Sequence, residues 1–176
     1  MDPVRIVITG PESTGKSTLT FQLAQHFNAV CIEEFARSYI QNLHRPYNYE
    51  DIEIIARKQI EDFKKTENLH SKLFFIDTYL IITKVWFDVV YKTSPQWIED
   101  ELRNSKIDMF LLCAPDLPWE KDEVRENGGE MRNWLFEEYK KNIIKYNFAY
   151  RIVNGFEESR LNNAISHVEA YLGLRT

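Results

Sequence analysis

The chain has 176 residues, enough for one domain with a substantial core. Apolar residues make up 44% and charged residues 28%, both ordinary for a globular protein in water. The net charge of -5 argues against a general nucleic-acid binder, which needs a basic face.

The start, "MDPVRIVITG", has no basic leader and no long apolar run, so no signal peptide is expected. "VRIVIT" is short and β-branched and predicts a strand. "GPESTGKST" follows, with Gly10, Gly15, Lys16 and Ser17 at the spacing of a loop that wraps phosphates. Backbone N–H groups from Gly10, Pro11's neighbours Glu12, Ser13 and Thr14, and Gly15 through Thr18 are expected around the anion, at a helix N-terminus. Lys16 is expected to neutralise the β- and γ-phosphates and Ser17 to ligate Mg²⁺. From Lys16 to Phe27, Leu19, Leu23 and Phe27 recur at four-residue steps and predict an amphipathic helix.

"AVCIE" is the second predicted strand, and "EEFAR" follows it. A carboxylate here, Glu34, could accept the proton of an attacking hydroxyl, or simply favour a helix N-terminus along with Glu33. Arg37 lies three residues on, placed to hold an anion or Glu34 itself. Helices are predicted over Phe35–Leu43 and Glu50–Leu69, parted by the turn "HRPYNYE". "KLFFIDT" is the third strand; its Asp77 reads either as a Mg²⁺ carboxylate or as the cap of the next helix.

Leu80–Tyr91 predicts a largely buried helix. Its Lys84 and Asp88 are four apart and can pair with each other; they also make the stretch too polar and short to cross a bilayer. A short helix opens at Pro95. "KIDMFLLCA" is the fourth strand. Cys31 and Cys113 each lie in an apolar run, form no disulfide framework and point to a reducing cytoplasm. The segment 115–132 is polar, charged and rich in Pro and Gly, hence a surface flap. Its Arg125 and Arg132 could close on transferring charge, and Trp119 could stack on a substrate ring or anchor the flap. A helix over Glu130–Tyr146, the strand "FAYRIVN" and a helix over Glu157–Leu172 complete the chain. Strands alternating with helices predict an α/β fold with a mainly parallel sheet, ligands gathering at the carboxyl ends of its strands.

"GPESTGKST", "EFAR", "FIDT" and "PWEKDEVREN", in that order across most of the chain, resemble the kinase domain of the NadR-type ribosylnicotinamide kinases, among the phosphate-loop NTPases. The resemblance implies a three-layer fold: a five-stranded parallel sheet of order 2-3-1-4-5, helices on both faces, and all of residues 1–176 in one kinase-like domain. It implies ATP- and Mg²⁺-dependent phosphate transfer to the 5′-hydroxyl of a small riboside, nicotinamide riboside; from charge and composition, no nucleic-acid or membrane partner is expected. Lys16 and Ser17 match the family's phosphate and magnesium positions. Glu34 and Arg37 match its E-[YF]-[AG]-R motif, Asp77 the first Asp of D-T-D, and Trp119, Asp122 and Arg125 its flap. Two positions depart: Tyr79 stands where the second Asp of D-T-D is expected, and Glu33 where some members carry an aromatic residue. Both are therefore candidate substrate contacts. Another nucleoside or nucleoside monophosphate kinase, or a nucleotide-dependent switch without an acceptor, are the alternatives the residues leave open.

Overall fold

The computed structural model describes residues 2–121 and 125–173. Strands β1 (Val4–Thr9), β2 (Val30–Ile32), β3 (Leu73–Asp77), β4 (Met109–Cys113) and β5 (Tyr150–Val153) form one parallel sheet in the order β2-β3-β1-β4-β5. The helices are α1 (Lys16–His26), α2 (Phe35–Gln41), α3 (Tyr49–Lys65), α4 (Leu80–Tyr91), α5 (Gln96–Asn104), α6 (Glu130–Lys145) and α7 (Glu157–Gly173). The expected fold class and strand order hold.

β1 sits at the centre because it is apolar on both faces. It pairs with β3 on one side, Val7 opposite Ile76, and with β4 on the other, Ile8 opposite Leu111. Successive side chains of a strand point to opposite faces, so Val7, Phe74, Ile76, Phe110 and Leu112 pack with α3 to α6. Ile6, Ile8, Phe75, Leu111 and Cys113 pack with α1 and α7. Each face thus has its own apolar layer, as a parallel sheet covered by helices requires.

Element ends differ from expectation by a few residues, each for a local reason. α3 starts at Tyr49 because Asn48 accepts from Asp51 N while the Asp51 carboxylate accepts from Asn48 N, a reciprocal cap. It stops at Lys65, where the Thr66 hydroxyl turns back to Phe63 O at 2.6 Å. Lys84 and Asp88 pair with each other on α4. No helix among the described residues is long and apolar enough to cross a membrane.

Since all five strands run the same way, their carboxyl ends meet on one edge of the sheet. Loops leaving that edge start at Gly10, Glu33, Thr78, Ala114 and Asn154, and the order reverses across β1, where open α/β sheets form a crevice. Phe110 is wholly buried in the interior strand β4, its ring centroid 5.2 Å from that of Phe148. Phe110→Ala is expected to lower stability by about 3 to 5 kcal/mol through transfer and cavity costs. Urea unfolding measures this, and a loss below about 1 kcal/mol would contradict the packing described.

Candidate functional site

The loop after β1 bends where only certain backbones can. Gly10 has φ +147°, and a Cβ there would meet Cys113 O at 2.7 Å, so the chain passes β4 only as glycine. Gly15, at φ +72°, ends the loop and caps α1. Between them Ser13 takes φ 57°, a left-handed conformation uncommon for a residue with a side chain. The Thr14 hydroxyl and the Lys16 ammonium both donate to Pro11 O, at 2.8 and 2.9 Å.

A residue that sequence reasoning missed braces this loop from behind. Arg160 of α7 is 5% exposed. One of its terminal nitrogens donates to Asp116 Oδ1 at 2.7 Å and Gly155 O at 3.0 Å. The other donates to Thr14 O at 2.9 Å and Ala114 O at 3.1 Å. One buried guanidinium therefore ties the loops after β1, β4 and β5 together. Only a single arginine on a closing helix marks it in the sequence, and that pattern says nothing of its reach.

Two carboxylates flank Lys16. Asp77, the last residue of β3, is 4% exposed, and its Oδ1 has no partner among the described residues. Burial raises its proton affinity, while neighbouring Ser17 and Lys16 pull the other way. It does not cap α4: the cap is Tyr79, without a side-chain bond. Thr78 between them holds φ 66°, and its N–H reaches Ile8 O at 3.0 Å. A β-branched residue in that conformation stores strain of the kind that gathers at sites. Glu34 starts α2 without making a cap bond. Burial raises its pKa; Lys16 opposes this, and the charges of Asp77 and Glu12 add to it. Its carboxylate lines the main cavity.

Glu33 is placed differently from expectation. It is exposed and borders a smaller recess with Ser17, Cys31 and Asp77, not the main cavity. Glu34 borders this recess too, but unlike Glu33 it also lines the main cavity. Arg37 borders both spaces. Burial, with Asp77 and Glu33 nearby, pushes the Cys31 thiol up to about 11, so it stays protonated near neutrality.

The flap is pinned to the loop. Ser13 Oγ donates to Pro118 O at 3.1 Å and accepts from Glu120 N at 3.0 Å. Glu12 accepts from the backbone and side-chain nitrogens of Asn127, at 2.8 and 3.1 Å. Arg125 lines the cavity and donates to Glu120 O at 2.6 Å. Three expectations need correction. Arg132 lies on α6, buried, and donates to Ser13 O at 3.1 Å and Leu117 O at 3.0 Å. It braces the loop and is absent from the cavity wall. The Trp119 ring packs against Gly128, anchoring the flap from within. Tyr79 is 1% exposed, its ring 4.7 Å from Phe63 and its hydroxyl 3.1 Å from Ser105 Oγ. The strained Thr78 turns it into the core. Asp122 lies outside the described residues.

What these groups enclose is a cavity of about 340 Å³, within the range of small-molecule sites. Its loop end carries Lys16, Glu12 and Glu34. The Tyr139 hydroxyl, on a buried α6 residue, senses the charges of Glu12 and Glu34. Its other end is aromatic and apolar: Tyr47 meets Trp86 edge-on at 4.9 Å, and its hydroxyl reaches Glu126 at 3.4 Å. Sequence reading missed Tyr47, Trp86 and Tyr139, because aromatic residues at helical spacing look the same in a core and in a wall.

Tyr79→Phe is expected to cost about 0.5 to 1.5 kcal/mol in stability, one hydrogen bond, and to leave nucleotide binding unchanged. Denaturant unfolding and nucleotide titration together check this; weakened binding at unchanged stability would return Tyr79 to the site.

A family model described as AAA domain matches residues 5–160. The chain is 25% identical over 177 residues to the trifunctional NAD biosynthesis/regulator protein NadR of Escherichia coli strain K12, an alignment covering 96% of this chain and 42% of that protein. The chain thus spans less than half the length of the curated relatives it matches. Among solved structures, a NadR protein in complex with NR superposes with a TM-score of 0.78 at 20% identity, covering 97% of this chain and 51% of that one. The thymidylate kinase of Ehrlichia chaffeensis superposes with a TM-score of 0.68 at 13% identity, covering 98% and 100%.

Proposed function

We propose that this chain, which belongs to the AAA domain family, is a kinase that moves the γ-phosphate of ATP to the 5′-hydroxyl of a small riboside, nicotinamide riboside above others. Residues 1–176 would act as one such unit, in a cytoplasm where the free thiols Cys31 and Cys113 stay reduced. One observation carries the reading: Glu34, a half-buried carboxylate that makes no cap bond, lines with Lys16 a cavity whose far end is aromatic. A switch that only hydrolyses nucleotide has no need of that second chamber. The likeness to NadR supports the choice of riboside.

The residues divide the work by charge. The loop N–H groups and Lys16 hold the β- and γ-phosphates; Arg125 from the flap neutralises charge on the transferring group. The Ser17 hydroxyl and the Asp77 carboxylate fit Mg²⁺. Both are hard oxygen donors, Asp77 Oδ1 is buried without a partner, and this ion usually takes one or two carboxylates besides phosphate oxygens and water. When bound, the ion supplies positive charge to the phosphate oxygens. Glu34 orients the acceptor hydroxyl and takes its proton, and the walls exclude water and align the attack.

Burial raises the Glu34 pKa, so at a given acidic pH more of it is protonated than of an exposed glutamate. Activity should therefore fall as pH drops through a value above the ordinary glutamate pKa of about 4.3. Glu34→Gln should remove that limb and lower kcat about a hundredfold. Lys16→Met should lower it further, since positioning and charge dominate phosphate transfer. A pH profile with its limb near the ordinary value, or unchanged in Glu34→Gln, would take Glu34 out of this role. Release of ADP, followed with and without nicotinamide riboside and a panel of nucleosides, tests the function itself. Stimulation by the riboside is expected; nucleotide binding with turnover flat across the panel would favour a switch.

A further inference from the structure

The α4 wall of the cavity is mostly apolar. Ile82, Trp86 and Val89 of α4 line it. On the same helix Thr83 donates its hydroxyl to Gln59 Oε1 of α3 at 2.5 Å, and both side chains line the cavity. Gln59 is 8% exposed and Thr83 1%. Gln59 interrupts the inward stripe of α3, where Ile52, Ile55, Ala56 and Phe63 are apolar. A leucine would continue that stripe, so the amide is there at a cost to packing.

The pair settles only half of the amide. Its oxygen is taken by Thr83, and among the described residues no other group bonds to Gln59. An amide nitrogen carries two N–H donors. With its oxygen held by Thr83, the amide can present these two donors to a group that fills the cavity its side chain lines. The three cationic residues lining the cavity, Lys16, Arg37 and Arg125, belong to the loop, α2 and the flap, and none lies on α3 or α4.

We infer that Gln59, held in orientation by Thr83, is a specificity-determining residue that donates to a neutral carbonyl on the acceptor's ring and selects a carboxamide over a carboxylate. A carboxylate seated there would be desolvated against neutral donors with no cavity-lining cation on α3 or α4, which disfavours it. The inference deepens the kinase reading above and rests on it.

Three acceptors test it in the full-length protein: nicotinamide riboside, nicotinic acid riboside, and the ribosylated pyridinium that lacks the ring substituent. The wild type should prefer the amide over the unsubstituted ring by about tenfold in kcat/KM, the worth of one neutral hydrogen bond, and over the acid by at least as much. Gln59→Leu should bring the amide-to-unsubstituted ratio near one. Thr83→Val should narrow the ratio through KM, with kcat kept. The thermal shift each variant shows with an ATP analogue reports that it is folded, and the wild-type ratios stand whatever the variants do. An amide preference that survives in folded Gln59→Leu, or an acid riboside used as well as the amide by the wild type, overturns the inference. If no riboside raises turnover, the kinase reading falls and takes this inference with it. If ribosides are turned over without regard to the substituent, this inference alone fails.

Discussion

A loop that grips an anion must aim its N–H groups at empty space, so the fold must hold it by its carbonyls and side chains. That constraint organises this molecule. Pro11 O is held by Thr14 and Lys16, Ser13 O by Arg132 and Thr14 O by Arg160. Among the described residues the N–H groups of Glu12, Ser13 and Gly15 find no acceptor in the chain. The braces come from α6 and α7, far along the chain, and they join the loop to the ends of β4 and β5 and to the flap. A preformed anion site costs no reorganisation when the phosphate arrives.

The same design divides the cavity into two chemistries. Near the loop, charges of both signs are buried together, and the pKa values of Asp77 and Glu34 rise because each carboxylate has lost water without gaining a full partner. That is the condition expected of groups that bind cations or move protons. Farther out, Tyr47, Trp86 and the α4 aliphatic residues offer an aromatic and apolar surface. A ligand charged at one end and ring-like at the other suits both. The flap closes over the join, latched to the loop through Glu12 and Ser13.

Much of this was legible in the sequence, for a physical reason. A parallel sheet sends every strand's carboxyl end to one edge, so residues that follow apolar runs, such as Lys16, Glu34 and Asp77, converge without long-range information. What failed were side-chain directions. Glu33 and Glu34 are adjacent, yet Glu33 borders only the small recess while Glu34 also reaches the cavity, a difference residue type does not foretell. Tyr79 follows a threonine at φ 66°, which no propensity foretells. Arg132 and Trp119 looked free in a polar segment, but one is spent on loop carbonyls and the other on packing. Gln59 and Arg160 were invisible, since a polar residue in an apolar stripe does not announce what lies across from it.

The central claim is that phosphate leaves ATP for a riboside hydroxyl and not for water. Phosphorus NMR of a reaction with ATP, Mg²⁺ and nicotinamide riboside tests it most directly. The account predicts that the γ-phosphate signal is replaced by that of a 5′-phosphomonoester, in step with ADP. Inorganic phosphate as the sole product, in the same amount with and without the riboside, would contradict it.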